Sequence, residues 1–339
     1  MVIDDTSMIW FALRDRRTSL VEKSRLKDSK VRQQTFVAAM AQFEEQIEAA
    51  KVVTPATRPL NLYYGLAQAG MAIAAAHGPD QWSFSRHGLK LVDAQPDFMD
   101  IQVAPEGDGA FQRVASATGS PVIEGPVSLG KLWASLPDLL PVSFRDSTDP
   151  TPLIVVSNTF QDAPQAQVHV SPPDLPEDLH EQAQRLYEIF SAYLGIKDGK
   201  IPATLDSIQD PDRPRQAWRV TLEWPPPEMW SQLSQGEKED FFDKIAPEYR
   251  YRDDRFARPC VEQEKQPPSS LMTWWLLLYS CSILARYQPR KWTALLDLNK
   301  SPSAVPLQYA LEEAISVVPH LVLDALDQEP WLLAKTLSF

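Results

Sequence analysis

Glycine and cysteine are scarce in this sequence, and their scarcity excludes several kinds of site. The 339 residues include 12 glycines beside 30 prolines, and the glycine-rich loops whose backbone N–H groups cradle phosphates are missing. The common nucleotide-binding loops are therefore excluded. The two cysteines, Cys260 and Cys281, are too few for a disulfide framework or a cysteine-based zinc site. We expect a reduced, cytoplasmic setting, with no metal and no cofactor.

Long apolar runs are also missing. The longest, residues 271–285, spans 15 residues and is interrupted by Thr273 and two serines, whereas a bilayer requires roughly 20 apolar residues. We expect a buried helix here, capped by Ser269 or Ser270 after a pair of prolines, and no contact with a membrane. The N-terminal residues lack the basic-then-apolar order of a secretion signal, so no export is implied.

Positive charge is in deficit, with 33 Lys and Arg against 45 Asp and Glu and a net charge of −12. This deficit disfavours a general nucleic-acid binder, since affinity for phosphate backbones comes largely from clustered Lys and Arg. The segment from Arg14 to Arg32 is an exception, because its eight basic and three acidic residues give a local charge of +5 and leave −17 for the remainder. Two interpretations stay open: a solvated helix face, or a contact for an anionic ligand, a nucleic acid or an acidic partner.

Hydrophobic periodicity predicts a mainly helical fold. Residues 98–128 suit short strands, and between residues 152 and 224 short strand-like runs surround one amphipathic helix in the order β-β-α-β-β. This order is typical of a small α+β subdomain with an antiparallel sheet. We therefore predict a helical body with an inserted α+β subdomain. Apolar residues recur at helical spacing over residues 18–53, 60–76, 271–286 and 306–326.

This order of elements divides the chain into three predicted parts. Residues 1–150 form an N-terminal helical part with some short strands, residues 151–226 form the insert, and residues 227–339 form a C-terminal helical part. A proline triplet marks the second boundary. We expect the two helical parts to pack together. The remaining predicted elements are helices at 129–140, 175–194 and 230–245 and a charged loop at 249–268.

Several catalytic patterns are excluded. The nucleophile elbow of serine hydrolases, Gly-x-Ser-x-Gly, does not occur. Helical ribonuclease-like toxins carry an arginine four to six residues before a histidine, and none of the histidines at 77, 87, 169, 180 and 320 has an arginine at that distance. His and Cys do not recur at a metal-binding spacing either.

Two blocks of sequence carry a family resemblance. The first runs from Arg58 to Gly70 and continues with Arg86-His87-Gly88-Leu89, and the second runs from Leu276 to Pro289. With Lys27–Arg32 and Val318–Leu321, they resemble the YaaC-like proteins, a bacterial family of largely uncharacterised function, over about residues 10 to 325. The resemblance implies a family and no mechanism.

The same blocks contain the candidate binding residues, which are cationic and polar side chains: Arg58, Tyr64, Gln68, Arg86, His87 and Arg286. His87 is the weak candidate for a general base, because the unperturbed pKa of histidine lies nearest neutrality. Arg58 and Arg286 would form an anion site if both guanidinium groups pointed into one pocket. Structural roles stay open for all of them. The histidine would then bond to the backbone, the arginines would cap helices or form salt bridges, and the tyrosine would fill the core.

Three hypotheses of function follow. In the first, the chain is an intracellular bacterial binding or regulatory component of the YaaC-like type, in a larger complex or a homo-oligomer, that recognises an anionic ligand or protein partner. In the second, it is a nucleic-acid- or nucleotide-processing enzyme of the defence type with His87 as general base. The third is a scaffold subunit bound through exposed aromatics and the Arg14–Arg32 segment.

Overall fold

The computed structural model describes residues 5–19, 24–93, 97–142 and 254–328 except residue 264; between residues 143 and 253 it describes five strands and some separate residues. Contacts divide the chain into two compact units. The helical unit contains residues 1–149 and 267–339, and the strand unit contains residues 150–266. The boundaries at residues 151 and 226, inferred from the sequence, stay predictions.

The helical unit confirms the prediction of a mainly helical fold. It also contains a three-stranded antiparallel sheet in the order β1-β2-β3, formed by Leu89–Asp93, Gln102–Pro105 and Val127–Ser128. Two short 3₁₀ turns, Arg25–Asp28 and Pro137–Leu139, connect helices. The described helices are α1 (Asp5–Ser19), α2 (Lys30–Val52), α3 (Arg58–His77), α4 (Ala110–Thr118), α5 (Leu129–Ala134), α6 (Ser270–Tyr287), α7 (Pro289–Leu295) and α8 (Ala304–Asp327).

Helix α3 lies at the centre of this unit, in contact with α2, α4, α6 and α8. Its alanine-rich sequence favours helix formation, and Pro59 occupies the first turn, where a missing N–H costs nothing. Small side chains let its neighbours approach closely. At Gly70 an added Cβ would lie 2.4 Å from the Trp275 ring and 2.8 Å from Val114. Gly70 is therefore a position at which side chains of α6 and α4 pack directly against the backbone of α3.

Helix α6 is buried along most of its length, as its sequence predicts. The hydroxyl oxygen of Ser269 accepts a hydrogen bond from the N–H of Met272 at 3.4 Å, so Ser269 is the capping residue. Inside the unit, the indole N–H of Trp274 donates to the buried carboxylate of Asp138 at 2.9 Å. This bond satisfies a polar group that would otherwise be costly to bury.

Three elements of the helical unit differ from the predictions. Phe111 and Val114, expected in strands, are buried on one face of α4, because their spacing of three residues fits a helix. Helix α1 begins well before the predicted helical segment at residue 18. The helix expected over 129–140 ends at Ala134, and Pro137 opens a separate 3₁₀ turn, since proline cannot donate the backbone bond that would continue the helix.

The strand unit contains a six-stranded antiparallel sheet in the order β6-β7-β5-β4-β9-β8. Its central pairing places Val168 opposite Val220. The predicted strands within residues 152–224 are present, and the helices predicted at 175–194 and 230–245 lie outside the described residues. The charged loop expected at 249–268 is partly wrong, since it contains β8 and β9. The strands are β4 (Leu153–Asn158), β5 (Ala163–Val170), β6 (Ala203–Ile208), β7 (Ala217–Glu223), β8 (Arg250–Tyr251) and β9 (Asp254–Ala257).

No helix within the described ranges is both long and apolar enough to cross a membrane.

Replacing Gly70 by alanine should destabilise the helical unit by about 1–3 kcal/mol, because the methyl group would overlap the Trp275 ring. At an uncrowded helical position the same change stabilises by up to about 1 kcal/mol. Gly65→Ala is the matched control in α3: its added Cβ would make a tight contact with Gln46, at 3.1 Å, but would not overlap a ring, so it should cost less than Gly70→Ala. Urea unfolding followed by tryptophan fluorescence measures both; a Gly70→Ala protein as stable as Gly65→Ala would contradict the packing argument.

Candidate functional site

A group of aromatic and cationic side chains lies where α3, α6 and the loop before β1 meet. We name it the His87 cluster; its members are Tyr63, Tyr64, His87, Tyr279 and Arg286. The ring centroids of Tyr63 and His87 are 5.6 Å apart, those of Tyr63 and Tyr279 are 5.5 Å apart, and those of His87 and Tyr279 are 5.7 Å apart. Three rings therefore contact one another, with His87 on the exposed side.

The imidazole of His87 is held by a buried phenol. The Tyr63 hydroxyl lies 2.9 Å from Nδ1 of His87, and Tyr63 is 2% exposed. The Tyr279 hydroxyl, in turn, donates to the carbonyl oxygen of Leu89 at 2.7 Å. These two bonds fix the orientation of the cluster relative to the first residue of β1. His87 is thus positioned rather than mobile, with its Nε2 side turned away from Tyr63.

Burial and charge keep the cluster in one protonation state. Burial, followed by the positive charge of Arg286, lowers the pKa of His87 below its ordinary value of 6.5. Burial raises the pKa of Tyr63 well above its usual range, and raises the pKa of Tyr279 to about 12, with Glu106 adding to the latter. At neutral pH the imidazole is therefore uncharged, and its bond to Tyr63 has two forms: the phenol donates to Nδ1 while the hydrogen is on Nε2, or Nδ1–H donates to the phenol oxygen while Nε2 is an acceptor.

The loop that carries His87 is locked onto the N-terminus of α4. The carbonyl oxygens of Arg86 and His87 accept from the N–H groups of Ala110 and Phe111 at 2.8 and 3.1 Å. The Gly88 carbonyl accepts from the Gln112 side-chain amide at 2.9 Å and from the Glu106 N–H at 2.8 Å. The first N–H groups of α4 are thus occupied by protein, so this helix end does not bind an anion.

Gly88 is required by the backbone of this loop. It has φ of +77°, a conformation that favours glycine. An added Cβ would also lie 2.0 Å from Oε1 of Gln112 and 3.1 Å from Cα of Gly109. The structure therefore explains part of the Arg86-His87-Gly88 motif. Gly88 allows the loop to approach the start of α4 closely, and the loop in turn presents His87.

Arg286 is presented at the surface by two tyrosines. Its Nη1 donates to the Tyr64 hydroxyl at 2.9 Å, and its guanidinium lies 5.0 Å from the centroid of the Tyr287 ring. Tyr287 is 63% exposed and Tyr64 is 39% exposed. Among the residues that the structure describes, neither Arg286 nor the exposed Arg86 has a carboxylate within ion-pair distance. The guanidinium of Arg286 is oriented, while most of its N–H groups face outward.

Arg58 occupies a different environment. It is buried, and its Nε and Nη2 donate to the carbonyl oxygens of Ala50 and Val53 at 3.0 and 3.2 Å, at the C-terminal end of α2. Its Nη1 lies 3.4 Å from a carboxylate oxygen of Glu312 in α8. A cation at this end of a helix satisfies unpaired carbonyls and complements the helix dipole. No contact in the described residues joins Arg58 to Arg286, so their shared anion site stays a prediction.

The basic N-terminal segment is largely engaged within the helical unit. Arg16 makes a two-point ion pair with Asp327, at 2.7 and 3.0 Å. Arg14 and Arg17 both contact Glu44. Arg32 is 5% exposed and donates to carbonyl oxygens at the end of α3, including that of Ala75 at 2.8 Å. These partners give the positive excess a structural role; contact of this segment with nucleic acid stays a prediction.

The other candidates add little to the site. Gln68 is half-buried, one turn beyond Tyr64 on α3. His77 and His320 each bond to a backbone carbonyl oxygen, of Leu326 at 2.7 Å and of Ser316 at 2.8 Å. Sequence reasoning missed Tyr63 and Tyr279 as the partners of His87. The only signal for them was their place in the two blocks that carry the family resemblance.

The metal-binding side chains and the cavity of the described part of the chain do not add a ligand site to the cluster. No group of three or more His, Cys, Asp or Glu side chains is found there that could hold a metal ion. A small cavity is lined by apolar side chains such as Trp274 and Leu307 and by the buried Cys281, whose thiol pKa burial raises to about 12. This cavity offers no polar group that would orient a ligand.

Comparison with known proteins identifies the family. The sequence model of the YaaC-like proteins matches residues 10–326, so the chain belongs to the YaaC-like family. Curated proteins and solved structures give no match.

Replacing Gly88 by alanine should lower the free energy of unfolding by about 1–3 kcal/mol, because it combines a strained φ with a clash against Gln112. Gly107→Ala is the matched control. Gly107 has a similar φ of +65°, but no atom lies within 4 Å of its added Cβ. Chemical denaturation of both variants separates the two effects, and equal losses would show that the contact with Gln112 contributes nothing.

Proposed function

We propose that this member of the YaaC-like family is a binding component, and that the His87 cluster recognises an acidic segment of a partner protein. The observation that carries the proposal is Arg286: an exposed guanidinium oriented by Tyr64 and Tyr287, without a carboxylate partner among the described residues. An oriented arginine loses less conformational entropy on binding than a free one, which favours affinity.

The composition of the surface supports a protein partner. Tyrosine and arginine are the residue types that contribute most often to interface hot spots, and Tyr64, Tyr287 and Arg286 are exposed together with Arg86 and His87. An aromatic surface of this kind suits an extended peptide, which buries the rings while its carboxylates meet the arginines. The apolar cavity of the helical unit offers no comparable site for a small anion.

The distribution of charge supports an acidic partner rather than a partner of any charge. Arg286 and Arg86 lie in a chain with a net charge of −12, so they provide a local attraction within a surface that repels acidic chains elsewhere. The Arg14–Arg32 segment provides less attraction, because Glu44 and Asp327 neutralise several of its arginines.

Arg286→Ala should weaken the binding of a fluorescein-labelled oligoglutamate peptide about tenfold or more, since hydrogen bonds to charged groups contribute about 1.5–3 kcal/mol. Fluorescence anisotropy measures the dissociation constant. Lys27→Ala is the matched control, because it removes one exposed positive charge from a 3₁₀ turn outside the cluster. It should retain the affinity of the unmodified protein. A Gly-Ser peptide of equal length should not bind.

Two results would contradict the proposal. Equal affinities of Arg286→Ala and Lys27→Ala would show that the attraction is unspecific charge. No saturable binding of oligoglutamate by the unmodified protein would show that the cluster does not recognise carboxylates.

A second function is favoured by one contact, the hydrogen bond between Tyr63 and His87. A general base requires an oriented, neutral imidazole with a lone pair on its exposed nitrogen, which here is the form in which Nδ1–H donates to the Tyr63 oxygen and Nε2 can accept a proton, as in a nucleic-acid- or nucleotide-processing enzyme. In that case His87→Ala should lower turnover of single-stranded RNA, single-stranded DNA or nucleoside triphosphates by about 10²-fold or more. His320→Ala serves as control, because His320 only bonds to the Ser316 carbonyl. Unchanged turnover in His87→Ala, or none in the unmodified protein, would remove this function.

A further inference from the structure

We propose that the acidic segment bound at Arg286 is also bound by His87, which takes up a proton from solvent as the complex forms. This inference rests on the proposed function, and it adds the second contact and a dependence of binding on pH.

The geometry brings the two groups to the same surface. His87 lies on Tyr63, and Arg286 is bonded to Tyr64, the next residue of α3. The rings of Tyr63 and Tyr64 are 6.2 Å apart. Both cationic groups are exposed, and Nε2 of His87 has no partner among the described residues. A peptide carboxylate beside Arg286 would therefore be near the free edge of the imidazole.

Protonation of His87 requires no more than a change in the hydrogen bond between His87 and Tyr63. In the free protein the neutral imidazole carries one hydrogen: in the first form it is on Nε2 and Nδ1 accepts from the Tyr63 hydroxyl, and in the other it is on Nδ1, so that a proton from solvent adds to the exposed Nε2 and the Tyr63 bond is unchanged. When, in the first form, a proton from solvent adds to Nδ1, this nitrogen donates to the Tyr63 oxygen, and the phenolic hydrogen turns to another acceptor or to water. Nε2–H then donates to the partner's carboxylate as a charge-assisted bond. No bond to carbon forms or breaks.

Among the described groups around His87, the imidazole is the one that changes charge near neutral pH. Helix α3 presents Tyr63 and Tyr64, and α6 presents Tyr279, Arg286 and Tyr287. Burial raises the pKa of Tyr63 and that of Tyr279, to about 12 for the latter, so both stay neutral. Arginine stays charged throughout. Arg86 adjoins His87 in the loop, and Glu106 acts on the Tyr279 hydroxyl.

The sign of the effect follows from these charges. Burial and Arg286 hold the pKa of His87 below 6.5 in the free protein. A bound carboxylate opposes both influences, since it pairs with Arg286 and favours the imidazolium, so the pKa of His87 rises in the complex. Protons are taken up between the lower and the higher pKa, and binding tightens as the pH falls through that range. Above about pH 8 the affinity is independent of His87.

The test is a pH titration of the His87 ring by ¹H–¹³C NMR, with and without oligoglutamate, on the full chain. The peptide should raise the pKa of His87 by about one unit, and the dissociation constant should fall by up to tenfold, roughly, between about pH 8 and about pH 6. Without peptide, Arg286→Ala should by itself raise the pKa of His87, because it removes the repelling charge. The His87→Gln variant assigns the NMR signal of the His87 ring. Its affinity for the peptide should be about the same at the two pH values.

His320→Gln is the matched control, since it removes a histidine of α8 outside the cluster. Its pH dependence should equal that of the unmodified protein. If the peptide binds but leaves the pKa of His87 and the affinity unchanged with pH, this inference is overturned while the proposed function stands. If the peptide binds at neither pH, the proposed function fails and the inference with it. A pH dependence that persists in His87→Gln would also overturn it.

Discussion

The close packing of α3 against α6 is the constraint on which the helical unit depends. Gly70 provides the space for the Trp275 ring, and no larger residue would fit at the same distance. This contact joins segments from opposite ends of the chain, with the strand unit between them in sequence. It also sets the distance at which Tyr63 meets Tyr279 and Tyr64 meets Arg286. The candidate site is thus a consequence of helix packing.

The same packing determines the chemistry of the cluster. Burying Tyr63 raises the pKa of its hydroxyl and keeps it neutral beside His87, to which it is hydrogen-bonded. Partial burial beside Arg286 lowers the pKa of the imidazole and keeps it neutral. A neutral histidine next to a permanent cation is easily biased toward protonation by an anion, since the anion offsets both effects. This favours a role in recognition, whereas catalysis would also require a group that activates a substrate.

The arginines show how the fold assigns different roles to one residue type. Arg32 and Arg58 are buried and donate to carbonyls at helix ends, and Arg16 pairs with Asp327. Arg286 instead remains at the surface between tyrosines. In the sequence alone, these arginines are the same residue with the same charge. What differs is the neighbouring helix end or carboxylate, which for Arg16 and Arg32 lies far away along the chain and for Arg58 is brought near by the turn between α2 and α3.

The sequence by itself determined the helices α2, α3, α6 and α8 and the strands β4 to β7, because apolar periodicity is a local property. It did not determine α4, where the helical spacing of Phe111 and Val114 was too short a pattern to be decisive, or β9, whose partner β4 is distant in sequence. It selected His87 and Arg286 as candidates from their chemistry. Only the tertiary structure decided that Tyr63 holds His87, that Arg58 caps α2, and that Arg286 faces outward. The roles of Tyr63 and Arg286 depend on contacts between residues distant in sequence, and that of Arg58 depends on the turn between α2 and α3, none of which apolar periodicity records.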